Sequence, residues 1–209
     1  PHTFTISAHT HEQANVFIDK ERGWPGDEPH HHLISATVCG SWWCGTFDEL
    51  GIPHATMNDG APNGYSIVTF NGNQYSVVFK ASRRPADYQM NIYCPDDVDQ
   101  ANAASTDVLV NVFAGSDRSK VEMQFGKDGA WTSLTQTRTI DPECLRMHNQ
   151  NEFLNEEVFG WKMDAPSQTS HMWTGKLPGD LPKGTHTITV RTTDMYGQTY
   201  EDKRILRIR

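Results

Sequence analysis

Cysteine is scarce and scattered. Four thiols in 209 residues, Cys39, Cys44, Cys94 and Cys144, are too few for a disulfide scaffold. Cys39 and Cys44 are spaced C-x4-C, but a zinc site wants a second tight pair, and Cys94 and Cys144 lie 50 residues apart. Free or buried thiols are the simpler reading, with a Cys39–Cys44 disulfide left open. There is no basic block. Lys plus Arg is 18 against 26 Asp plus Glu, a net charge of −8, which argues against nucleic acid and anionic membranes as partners. No apolar run approaches the roughly 20 residues of a membrane helix. G-x-S-x-G, a phosphate-cradling glycine loop and a convincing Ser/His/Asp arrangement are all missing. So are an initiator Met and a signal peptide. Residue 1 is proline, and the chain runs directly into a strand pattern. We read this as a processed or truncated chain, cut inside a larger protein.

What is present is enough for a core. Six Trp, nine Phe and six Tyr, with only 21% charged residues, exclude a disordered tail. The length suits one large domain or two small ones. The halves differ. Residues 1–104 carry 12 acids, 5 bases and seven of the ten histidines, whereas residues 105–209 carry 14 acids and 13 bases.

Strand signals dominate. In residues 2–8, His2, Phe4, Ile6 and Ala8 alternate with Thr3, Thr5 and Ser7. Residues 30–45 form a second apolar stretch. Residues 65–70 and 74–80 flank Asn71-Gly72-Asn73, a hairpin signal because Asn-Gly supplies positive φ. Residues 81–106 turn polar, with Pro85, Pro95 and an acidic cluster, although 88–94 still alternate. A boundary is expected there: 1–80, a linker at 81–87, and 88–209. The second part reads as a small antiparallel β domain, with strands at 107–113, 120–126, 130–136, 170–177, 185–193 and 198–208. Gly/Asp/Pro turns between them suggest a β-sandwich. Trp131, Trp161 and Trp173 read as its core residues, and His171 and His186 as strand residues. One insertion looks helical: Asp141 suits an N-cap, Pro142 the first helical position, and residues 143–159 follow.

The sharpest chemical feature is Ala8-His9-Thr10-His11 at a strand end. Two histidines at i and i+2 can converge on one metal, or on a close pair, as a strand runs out into a loop. Imidazole suits zinc, iron, nickel and copper. Residues 1–80 resemble the C-terminal end of the calcineurin-like metallophosphoesterase catalytic domain. That family's last metal motif is Gly-His-x-His after a core strand, and here Ala8 replaces the glycine. His30-His31-His32, then Cys39-Gly40-Ser41-Trp42-Trp43, then Asp59 to Tyr65 look like a bacterial subgroup with a C-terminal β domain. Residues 107–209, with His171-Met172-Trp173 and Leu181 to His186, look like that domain.

The resemblance implies a mainly β fold. Tail strands of an α/β metallophosphoesterase sandwich would be followed by an Ig-like antiparallel β-sandwich with a short helical insertion. It implies His9 and His11 as metal ligands, divalent metal ions paired in the intact parent, a phosphoester substrate, and an upstream catalytic-domain segment as partner. It also implies an exported location, periplasmic or extracellular. The family's upstream motifs, Asp-x-His, Gly-Asp-x-x-Asp and Gly-Asn-His-Asp/Glu, do not occur in these 209 residues. A two-metal site needs their carboxylates, so the chain alone is expected to be inactive.

Other residues have competing readings. His30 and His32 would share one strand face and His31 the other, and His32 is the candidate substrate contact. Trp42 and Trp43, taken as strand residues, would face opposite ways, and Trp43 is the candidate pocket residue. Asp59 reads first as a turn residue and second as a substrate contact. Arg83-Arg84 reads as a solvated linker or an anion contact. The rival function is a non-catalytic β-sandwich module binding carbohydrate or a protein partner. Trp173 and Tyr196 are its possible aromatic contacts.

Overall fold

A computed structural model describes residues 3–48, 50–154 and 162–209. The expected strand residue His2, the 155–159 end of the helical stretch and Trp161 lie outside them. The chain is mainly β, as expected. It divides into two compact units: residues 1–86 with 139–169, and residues 87–138 with 170–209. The helical insertion therefore groups with the first unit.

In the first unit, β1 (Phe4–Ser7), β2 (Ala14–Ile18) and β3 (His30–Ile34) form a sheet in the order β1-β3-β2. β1 runs parallel to β3, placing Phe4 beside His31 and Thr5 beside His32. The alternation read from the sequence has a physical consequence here. Thr3, Thr5 and Ser7 put hydroxyls on one face, and His30 and His32 lie against them. Thr3 and Thr5 hydroxyls bond His30 at 3.0 and 2.8 Å, and Thr5 and Ser7 bond His32 at 2.7 and 2.9 Å. His31 turns to the other face. It meets the Tyr75 hydroxyl at 2.7 Å and the Asn15 carboxamide oxygen at 2.9 Å, and stacks on Phe17.

β4 (Gly64–Asn71) and β5 (Gln74–Ala81) make the expected hairpin, with Asn71 opposite Gln74. Gly72, at φ +61°, supplies the positive φ of its two-residue turn. β2 had no clear signal: five residues between charged and polar flanks resemble a loop. Conversely, the apolar stretch 30–45 stays a strand only to Ile34. Beyond it the chain turns, and Gly40, Trp42 and Trp43 all take positive φ. Neither tryptophan is a strand residue, so the one-in, one-out reading does not apply to them.

The second unit contains β6 (Met90–Tyr93), β7 (Asp97–Val98), a 3-10 helix (Gln100–Ser105), β8 (Asp107–Val112), β9 (Lys120–Phe125) and β10 (Thr132–Ser133). β11 (Thr135–Ile140) leads out of it into α1 (Pro142–Leu154). β12 (Gln168–Lys176) leads back, followed by β13 (Gly184–Thr193) and β14 (Thr199–Ile208). One sheet has the order β10-β9-β13-β14-β7, the other β11-β12-β8-β6. Both sheets feed one core. Met90, Ile92, Val108, Val110 and Trp173 from the second meet Val121, Met123, Ile188, Val190 and Leu206 from the first. β10–β9, β9–β13, β13–β14, β12–β8 and β8–β6 pair antiparallel, and at the edge β7 runs parallel to β14.

Trp173 is 2% exposed, at the centre of this core. Trp131 is not a core residue. It is partly exposed and lies beneath the Arg191 guanidinium, 4.1 Å from its ring centroid. His171 is fully buried on β12, where its Nδ1 meets the Asn111 carboxamide oxygen at 2.7 Å.

Candidate functional site

β1 ends at Ser7, and its carbonyl still accepts the Ser35 N–H at 2.9 Å. The chain then leaves the sheet through the His-x-His loop. His9 has φ 91° and His11 φ 55°. Left-handed backbone at a non-glycine residue costs roughly 1–2 kcal/mol, so this loop keeps its shape only where its surroundings impose it.

Two sets of contacts impose it. At the loop exit, the Gln13 N–H donates to Asp59 Oδ2 at 2.6 Å, and Gln13 Oε1 accepts the Ala36 N–H at 2.7 Å. At the imidazole, His11 Nδ1 donates to the Gly40 carbonyl, with the Thr37 hydroxyl 3.4 Å from the same nitrogen. The ring stacks on Trp42, centroids 3.9 Å apart at 29°. A carbonyl only accepts, so Nδ1 is the donor in this contact, and Nε2 has the lone pair in the corresponding neutral tautomer. His9 is exposed.

Gly40 cannot be another residue in this conformation. Its φ is +50°, and a Cβ there would lie 1.6 Å from the Ala55 carbonyl oxygen. Thr37 and Ala55 hold the same turn through backbone bonds to Gly40 and Ser41.

Asp59 is 2% exposed. While Oδ2 holds Gln13, Oδ1 accepts the Ala61 N–H at 2.9 Å. The turn reading therefore describes its local geometry, and its second oxygen ties that turn to the His-x-His loop. Gly60 follows at φ +82°, packed so closely on Asp141 that a Cβ would lie 2.3 Å from the Asp141 Cβ. Asp141 is the helix cap expected of it: Oδ1 accepts the Cys144 N–H at 2.8 Å. Burial, then the Asp141 and Asp59 carboxylates, push the Cys144 thiol up to about 12. With its pKa so high it is a poor nucleophile at physiological pH. All four cysteines are free thiols, Cys39 and Cys44 included.

The remaining candidates lie elsewhere. Both ring nitrogens of His32 are bonded to β1 hydroxyls. Trp43 is half-buried, with the Arg83 guanidinium 5.5 Å from its ring centroid. Arg83 in turn pairs with Asp48 at 2.9 Å. Burial works to raise the Asp48 carboxyl, but the Ile52 and Leu50 N–H groups and Arg83 outweigh it and hold it below the usual range.

The structure thus joins His11 to Gly40, Thr37 and Trp42, and joins Asp59 to the same loop through Gln13. Sequence reasoning missed Gln13 and Thr37, and it chose Trp43 over its neighbour. The available signal was Gly40 beside two tryptophans. Among the described residues, no group of three or more His, Cys, Asp or Glu is placed to hold a metal.

The family described as the C terminal of calcineurin-like phosphoesterase matches residues 32–200. The match takes in Gly40, Trp42 and Asp59 and begins after His9 and His11. No curated protein matches the chain. With most of its length covered, from within β3 into the last strand, the chain belongs to the family of calcineurin-like phosphoesterase C-terminal domains.

Proposed function

We propose that this chain is the closing part of a metal-dependent phosphoester hydrolase. In this reading His9 and His11 are the last metal ligands of the parent enzyme, and the second unit is a structural β accessory. The observation that carries it is the contact of His11 Nδ1 with the Gly40 backbone carbonyl, which leaves Nε2 as the nitrogen that could bind a metal. The positive φ at both histidines supports it, because such strain concentrates at functional sites.

Divalent cations bound in the parent would polarise the phosphoryl group and supply a nucleophilic water. The chain's own part is to hold imidazole nitrogens at fixed positions. Asp59 and Gln13 fix the loop, and the Gly40 turn fixes one ring.

The first unit also supports an upstream catalytic-domain segment as partner. Ile6, Val38, Phe47, Ile67 and Phe70 are large apolar residues left exposed on it, whereas Ile205 is the one such residue among those described in the second unit. Exposed large apolar side chains are the kind of surface that a covering partner would bury. The carbohydrate-binding alternative is less well supported, since Trp173, one of its two aromatic candidates, is buried.

The test is made on the intact parent with His9→Ala and His11→Ala. Each change is expected to lower metal stoichiometry and to reduce hydrolysis of a chromogenic phosphodiester at least tenfold. Unchanged metal content and unchanged rate would sink the assignment.

A further inference from the structure

The turn after β3 is held by backbone bonds from Gly40 to Thr37 and from Ser41 to Ala55, and it carries left-handed backbone at two tryptophans. Trp42 and Trp43 take φ of 56° and 58°, and Gly40 takes +50°. Trp42 is 57% exposed, so burial does not account for its placement. The visible product of the strained turn is that two of its groups converge on a single imidazole. The Gly40 carbonyl accepts from His11 Nδ1, and the Trp42 indole lies 3.9 Å from the His11 ring at 29°. The two contacts constrain different degrees of freedom. A hydrogen bond on one ring nitrogen selects the tautomer. A stacked ring sets the plane and stops rotation about the side-chain bonds.

We propose that Gly40 and Trp42 are positioning residues for His11. Together they keep it as the Nδ1–H tautomer with Nε2 presented to a divalent cation. Neither touches the cation itself, and the inference rests on the reading of His11 as a ligand. A Gly40 substitution is a poor probe, because any Cβ collides with the Ala55 carbonyl oxygen. Trp42 is exposed and can be changed.

The clamp is read first in the 209-residue chain without metal, by long-range nitrogen–proton NMR of the imidazoles. His11 is expected to be mainly Nδ1–H in the native chain. Trp42→Ala, which frees the ring to rotate off the Gly40 carbonyl that selects the tautomer, is expected to lose that majority, and Trp42→Phe, which keeps a ring on the imidazole, to retain it. A native His11 that is mainly Nε2–H overturns the proposal, as does a Trp42→Ala chain with the native tautomer. In the intact parent, Trp42→Ala is expected to weaken metal affinity by roughly 10–100-fold, the usual effect of removing a group that orients a ligand. An unchanged affinity there overturns the positioning role. Retention of full metal by His11→Ala in the parent sinks the ligand reading instead, and leaves the metal-free tautomer result standing.

Discussion

Asp59 commits both carboxylate oxygens to backbone N–H groups, those of Gln13 and Ala61, in a site 2% exposed. Removing it strands two buried donors. Asp59→Ala is expected to cost about 2–4 kcal/mol, because each unpaired buried polar group costs roughly 1–3 kcal/mol. Asp59→Asn, which keeps one acceptor, loses less. Urea denaturation of the two variants measures the difference, and a loss below 1 kcal/mol for Asp59→Ala would show that the two bonds do not hold the loop. Cys144 makes a pH prediction. Its thiol is raised from 9.0 to about 12 by burial and by nearby carboxylates. The folded state therefore binds this proton more tightly than the unfolded chain. The resulting stability is complete below pH 9 and is lost as pH rises toward about 12. Melting temperatures between pH 8 and 11 should fall for the native chain and fall less steeply for Cys144→Ala. At these positions the sequence was only half legible. His-x-His and the Asp59-Gly60 turn could be read directly. The clamp on His11 could not, since its acceptor is a backbone carbonyl 29 residues away, which leaves no mark on residue identity.

Among the elements, those with local chemistry were the legible ones. Asn71-Gly72-Asn73 marked its hairpin, and Asp141-Pro142 marked the start of α1. Asp194 closes the β13–β14 turn by accepting the Tyr196 and Gln198 N–H groups at 2.8 and 2.9 Å. What escaped were elements set by distant partners. β2 is a strand because β3 pairs with it, and β7 because β14 does. The stretch after Ile34 kept an apolar pattern but folds into turns around Gly40. Trp131 read as core from its type alone, yet it sits under Arg191 at a surface. Trp173 is the element-level test of the shared core. Gly115 has no room for a Cβ beside its ring, which would come within 2.4 Å. Trp173→Ala is expected to cost about 3–5 kcal/mol, the range for large aromatic truncations in a packed core. Gly115→Ala should destabilise through the same contact. A Trp173→Ala loss under 1 kcal/mol by chemical denaturation would mean that the two sheets do not depend on a common core.

The whole molecule joins two units of different character. The second has a continuous core fed by two sheets. Among the described residues, the first holds a three-stranded sheet, a hairpin and a small buried cluster of Cys44, Cys144 and Met163, and it leaves large apolar side chains exposed. The charge and histidine asymmetry of the sequence follows this division only loosely, because residues 139–169 return to the first unit. No pattern in the sequence announced that return, which depends on packing between residues far apart in the chain, such as Gly60 against Asp141. The central claim is that His11, held by Gly40 and Trp42, is a metal ligand of a phosphoesterase. It is tested most directly by a crystal structure of the intact parent, soaked with zinc and phased on the metal's anomalous signal. The account predicts a metal about 2.0–2.1 Å from His11 Nε2, the usual zinc–imidazole distance, with Nδ1 still on the Gly40 carbonyl. A metal centre bound elsewhere, with His11 Nε2 uncoordinated, would contradict it.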